Sequence, residues 1–171
     1  MNSIDKARRK VGKAMSSETS EDDGDILDTL KQEHEEVADL LEQLVESESA
    51  ASRRSLLKQI KAALVPHLRA EEKVVYDAIR ALRGKEQQMD AAEGYFEHAL
   101  GDRMLANLEK IDKPNSPEFS AGAKVLKELV EHHVEEEEQN VWKDVRENFS
   151  DEERIEMNRK FEAAKTRVRV A

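Results

Sequence analysis

The sequence predicts an all-α protein: an up-down-up-down four-helix bundle of two repeated helix hairpins, plus a short C-terminal helix. Three observations predict it. The composition favours helix over sheet, with 39% charged residues, 4% aromatic residues, 6 Gly and 3 Pro among 171 residues. Four long segments carry apolar residues three and four apart, the period of one buried helix face. The stripes of the first two segments recur in the third and fourth: Glu33-His34 with Leu41 and Leu44 is matched by Glu97-His98 with Leu105 and Leu108. One hairpin design thus occurs twice, and two hairpins with short loops close into a bundle.

Residues 1–22 read as a flexible polar tail. Lys6, Arg8, Arg9, Lys10 and Lys13 lead, Glu18, Glu21 and Asp22 follow, and no apolar core of a signal peptide is present. The bundle is expected over residues 23–149. Its first helix, about 25–48, has the stripe Leu30, His34, Val37, Leu41 and Leu44. The second, about 51–82, has Leu57, Ile60, Leu64, His67, Glu71, Val74 and Ala78. Pro66 lies inside it and removes a helical hydrogen bond, so the helix is expected either to bend there or to be two pieces. Gly84 ends this segment.

The third helix, about 86–111, places Tyr95, His98, Asp102, Leu105 and Leu108 on one side. Lys113-Pro114-Asn115-Ser116-Pro117 is the clearest loop. The fourth helix, about 118–148, has the stripe Leu126, Val130, His133, Glu137 and Val141. Residues 150–171 form the C-terminal region. Ser150 and Glu153 have capping-box spacing, so a short helix is expected over about 151–166, with Ile155, Phe161 and Ala164 against the outside of the bundle.

Several function classes are disfavoured at once. A net charge of -10 repels phosphate backbones, so no nucleic-acid partner is expected. No apolar run approaches the ~20 residues that span a bilayer, so no membrane partner is expected either, and the location is expected to be cytoplasmic. The chain has no cysteine, which removes disulfides, thiolate nucleophiles and thiolate-bound metals.

The chemistry is concentrated in a duplicated pattern, His67-Leu68-Arg69-Ala70-Glu71-Glu72 and His133-Val134-Glu135-Glu136-Glu137-Glu138. Residues four apart share a helix face, so each copy aims one imidazole and one carboxylate the same way. His34 and His98 occupy core positions in the other two helices. An unpaired buried carboxylate costs several kcal/mol, whereas two carboxylates facing two divalent cations are compensated. His34, His67, Glu71, His98, His133 and Glu137 are therefore the candidate metal ligands. Iron, manganese and zinc all suit such donors.

His132 is one residue off register and belongs beside the site or on the surface. Asp102 is either a further ligand or a surface residue, and Tyr95 either donates toward the site or packs. Tyr76 and Trp142 are read as core closures, and Glu72, Glu135, Glu136 and Glu138 as a solvated face.

Glu-x-x-His, the ferritin-like signature, is absent, as is His-Glu-x-x-His. The segments Gln32-Glu33-His34-Glu35-Glu36, His67 to Glu72, Glu97-His98 and His132 to Glu138 instead resemble the hemerythrin-like, or HHE cation-binding, family, over about residues 25–148. The resemblance implies a non-haem centre of two iron ions, bridged by Glu71 and Glu137 and by an oxo, hydroxo or water ligand. One iron would take His34 and His67 or their counterparts, and the other His98 and His133. Oxygen-carrying members bear His-x-x-x-His on the third helix, where this chain has His98 and Asp102. That difference points toward the sensing and repair branch. The expected role is binding or sensing of oxygen or a related small oxidant, a diatomic or peroxide ligand. A peroxide-removing or oxidase enzyme and an iron-responsive binding module are the alternatives.

Overall fold

The computed structural model describes residues 24–170. The reading of residues 1–22 as a tail falls outside the described residues. Five helical rods account for the fold. Helix α1 spans Ile26–Glu46. Helix α2 runs Ala50–Glu71, passes through a π-helical turn at Glu72–Tyr76 and continues as Asp77–Ala81. Helix α3 spans Lys85–Glu109. Helix α4 runs Pro117–Glu136, has its own π-turn at Glu137–Val141 and continues as Trp142–Asn148. Helix α5 spans Asp151–Lys165. No strand occurs among the described residues, and no helix there is long and apolar enough to cross a membrane.

Local chemistry sets the helix starts. Asp25, Ser49 and Ser116 each accept a bond from a first-turn backbone N–H, and Pro117 opens α4, where its missing N–H costs nothing. Ser150 and Glu153 form the expected capping box at α5. At the α2–α3 turn the left-handed residue is Arg83, with φ 61°, and Gly84 is extended.

Pro66 does not divide α2. The helix continues through it from Ala50 to Glu71, and the irregularity comes later, at the π-turn. The π-turn has a counterpart at the matching place in α4, so it belongs to the repeated design rather than to the proline. It also has a geometric consequence. Bonding from i to i+5 widens the turn and brings residues five apart nearer to one face, and in α4 it sets Trp142 beside Glu137.

Helix α1 packs on α2 and α4, and α3 on α4 and α2, closing the up-down-up-down ring. The apolar interior is in two parts. One end holds Val37, Leu41, Leu44, Leu57, Ile60, Leu105, Leu108, Phe119 and Leu126. The other holds Ile26, Leu30, Val75, Tyr76, Ile79, Trp142 and Val145, together with Met157 and Phe161 of α5. A layer of histidine and glutamate separates them. Helix α5 lies against α1 and α2, and Arg154 Nε bonds Asp25 Oδ2 at 2.7 Å, tying the start of α5 to the start of α1.

Candidate metal centre

The six sequence-predicted ligands come together in that layer. His34, His67, His98 and His133 are buried, Glu71 is 0% exposed and Glu137 is 2% exposed. Each helix of the bundle supplies one histidine, and α2 and α4 each add the glutamate one turn further on. Two donor groups form, His34–His67–Glu71 and Glu71–His98–His133, with ligand atoms in each within 4.8 Å of one another. The histidines are therefore paired within hairpins, with ring centroids 5.1 Å apart for His34 and His67 and 4.8 Å for His98 and His133.

The carboxylates stand between the pairs. Glu71 Oε2 lies 3.3 Å from His98 Nε2, 3.7 Å from His67 Nε2 and 3.8 Å from His133 Nε2. Glu137 Oε2 lies 3.5 Å from His34 Nε2 and 3.7 Å from His133 Nε2. These approaches lack hydrogen-bond geometry: His34 Nε2, both Glu71 oxygens and Glu137 Oε2 have no hydrogen-bond partner. Buried polar atoms are normally satisfied. Four that are not, converging in one layer and all good metal donors, fit a cation-binding centre.

The electrostatics of the layer agree. Burial alone would raise the Glu71 carboxyl, but the His67, His133 and His98 imidazoles outweigh it and hold it well below the ordinary range. Burial and the neighbouring Glu71 charge push Glu137 well above it. Burial, then His67, bring His34 down to about 3. Burial would lower His133 too, yet Glu71, Glu97 and Glu137 lift it to about 10. One carboxylate and one imidazolium thus neutralise each other where a bound cation would otherwise carry the positive charge.

Every imidazole is held from behind by a glutamate. His67 Nδ1 donates to Glu33 Oε2 at 2.8 Å and His133 Nδ1 to Glu97 Oε2 at 2.8 Å. His98 Nδ1 donates to Glu72 Oε1 at 3.0 Å and His34 Nδ1 to Glu138 Oε1 at 3.2 Å. A carboxylate only accepts, so each Nδ1 carries a proton, and each Nε2 faces the layer, where it is a metal donor once its ring is neutral. Glu72 and Glu138 are consequently not a solvated face, as the sequence reading has them; they are half-buried orienting groups. Glu33 and Glu97 were legible only as part of the repeat. The signal was the recurrence of Glu-His and Glu-Glu pairs, in which the glutamate outside the layer, first in Glu-His and second in Glu-Glu, points about 100° away and reaches a neighbouring helix.

Lys165 of α5 also bonds Glu33, so the C-terminal helix supports His67 through that carboxylate. Glu33→Ala is expected to weaken metal binding by roughly 10–100-fold, the usual cost of losing a ligand-orienting partner. Competition titration against a chelator of known affinity measures it, and unchanged affinity would remove Glu33 from this role.

The remaining candidates fall outside the layer. Asp102 accepts from Arg69 Nη2 at 2.8 Å. The Tyr95 hydroxyl donates outward, to Asp77 Oδ1 at 3.1 Å and the Glu72 carbonyl at 3.2 Å. His132 is exposed, with Nε2 3.7 Å from Glu97 and 3.6 Å from Glu136. Tyr76 and Trp142 are buried core residues, and they also wall the layer. Tyr76 lies 5.3 Å from the His98 ring, and Trp142 stacks on His34 at 5.7 Å and 19°. Trp142 Nε1 donates to Glu137 Oε1 at 3.2 Å, a contact across the π-turn. Gly94 makes room for Tyr76, since a Cβ there would stand 2.5 Å from its ring. Gly94→Ala should overpack this wall by about 1–3 kcal/mol. A thermal melt reads the loss, and an unchanged midpoint would mean the ring can step aside.

A four-helix bundle with a buried histidine–carboxylate layer defines a cation-binding helical protein. The chain belongs to the hemerythrin family: the hemerythrin HHE cation binding domain matches residues 25–143. It is 30% identical over 158 residues to a DNA nickase of Nostoc sp., a match covering 92% of this chain and 44% of that protein. It is 31% identical over 102 residues to an uncharacterized hemerythrin-like protein of Schizosaccharomyces pombe, covering 60% of this chain and 50% of the relative. The chain thus matches half or less of the length of each relative. No solved structure matches it.

Proposed function

We propose that the layer holds two iron ions and that the protein binds or senses dioxygen or a related small oxidant such as peroxide or nitric oxide. The observation that carries the reading is the convergence of four outward-fixed imidazoles on two buried carboxylates with unpartnered oxygens. His34 and His67 would serve one iron, His98 and His133 the other, with Glu71 and Glu137 between them. Iron in such a site supplies reversible redox chemistry and coordination positions for a small ligand. The protein's own part is to orient the donors through Glu33, Glu72, Glu97 and Glu138, and to exclude bulk water with Tyr76, Trp142 and the flanking leucines. The cleft that reaches His133 and Glu137 has about 20 Å³, room for a water-sized ligand. That size favours a diatomic or peroxide over an organic substrate.

Anaerobic loading with ferrous ion, a metal count per chain, and optical spectra on adding oxygen, peroxide, nitric oxide or azide test it. Two irons per chain and a ligand-dependent spectrum are expected; a silent spectrum with all four would sink the reading. Oxygen evolution from peroxide would move it to the enzymatic alternative. The relative named as a DNA nickase favours a second reading, metal-dependent cleavage of a phosphodiester. A net charge of -10 and a water-sized cleft argue against a phosphate backbone reaching the layer. Nicking of supercoiled plasmid by the metal-loaded chain would reverse that preference.

A further inference from the structure

The duplicated bundle should have two equivalent grooves leading to the layer, one between α1 and α2 and one between α3 and α4. They are treated differently. Helix α5 fills the first: Met157, Phe161 and Ala164 pack there with Ile26, Leu30, Ala70 and Val74. Phe161 meets the His67 ring edge-on at 5.7 Å. At the repeat-equivalent positions of the second groove stand Asp90, Gly94, Glu136 and Asn140. All four line an open cleft that runs down to His133 and Glu137. Four apolar contacts for a covering helix are thus replaced by two acids, a glycine and an amide, so the second groove is kept uncovered and acidic.

The mouth of this cleft carries a third group of donors. Glu97, His132 and Glu136 place one ligand atom each within 4.8 Å of the others. His132 and Glu136 have no counterparts in the first hairpin, where Pro66 and Ala70 occupy the matching positions. Glu97 faces both ways: Oε1 lies 3.7 Å from His132 Nε2, and Oε2 accepts from His133 Nδ1 at 2.8 Å. At the inner end, Glu137 is 2% exposed and its Oε2 has no hydrogen-bond partner. Asp90, half-buried at the rim, is held above the usual carboxylate range by burial and by Asp144, Glu86, Glu93 and Glu136. The rim is a concentrated negative field, and such a field raises the local concentration of cations.

We propose that divalent metal reaches the centre through the α3–α4 cleft, and that Glu97, His132 and Glu136 form an outer station at its mouth. The cleft's about 20 Å³ is room for one water-sized ion. This inference rests on the metal-centre reading. It makes the metal held by His98 and His133 the one nearer the cleft, because His133 lines it.

Stopped-flow uptake of Co2+ by the full chain, read from its visible absorption at low ionic strength, tests the port. A double variant, His132→Ala with Glu136→Gln, alters the station while leaving Glu97 on His133. It is expected to load about tenfold more slowly, the lower range for lost electrostatic focusing, with the same final metal count. Glu93→Lys, at the rim, should slow loading further, and added salt should shrink both differences. Glu46→Gln, at the far end of α1, removes the same charge and should load at the wild-type rate. Unchanged loading in both cleft variants, or equal slowing in the Glu46→Gln control, overturns the port. No uptake by the wild-type chain overturns the metal-centre reading itself, and the port with it.

Discussion

Glu71→Gln is expected to remove both of the proposed metal ions together. Glu71 is the one residue common to the two donor groups, and its Oε2 faces histidines of both hairpins. The glutamine keeps the shape and loses the charge. Affinity should fall by more than the roughly 10–100-fold that an orienting partner is worth. Metal that binds only the folded chain at about 1,000 times its Kd adds about 4 kcal/mol of stability, or roughly 10 °C for a chain of this size. That metal-induced rise should vanish in Glu71→Gln. By contrast, His34→Ala touches one donor group and should leave one ion in place. Metal counts and paired melts with and without metal decide it. Loss of a single ion from Glu71→Gln would show that the carboxylate serves one metal only.

The second large effect lies outside the four-helix ring. Phe161→Ala should cost about 3–5 kcal/mol, the range for truncating a buried phenylalanine, and lower the melting midpoint by roughly 10 °C. Phe161 is 0% exposed, packs in the core end that includes Tyr76 and Trp142, and supports the Lys165 ammonium 5.1 Å above its ring. The loss is expected in the metal-free protein as well, since the contacts are apolar. Phe161→Leu, which retains most of the volume, should lose markedly less. Circular dichroism melts of the two variants separate packing from any general effect of α5. Shifts of a degree or two for Phe161→Ala would mean that α5 is not part of the folded core.

Much of the architecture was legible because its determinants are local. The stripe through Leu30, His34, Val37, Leu41 and Leu44 reports a buried helix face from spacing alone. The predicted ends agree with the structure to a residue or two, within the usual fraying of helix termini. Of the two outcomes expected at Pro66, division of the helix did not occur, because a proline's local cost says nothing of the packing that keeps a helix continuous through it. The π-turns were invisible since Val74, Val75 and Tyr76 satisfy an α or a π register equally well from composition.

The centre divides in the same way. His34, His67, Glu71, His98, His133 and Glu137 stood out as polar groups at core positions, an energetic contradiction that a sequence can display. Glu72 and Glu138 looked like ordinary surface acids, and Glu33 and Glu97 showed only as repeat partners of their histidines, because the rings they hold lie on other helices. By itself the sequence determined the helices, their duplication and the composition of the polar layer, all consequences of short-range periodicity and burial cost. Only the tertiary structure decided which histidines pair, which glutamate stands behind each ring, and which of two equivalent grooves α5 covers. Those choices are made by contacts between residues far apart in the chain, and no local spacing carries them.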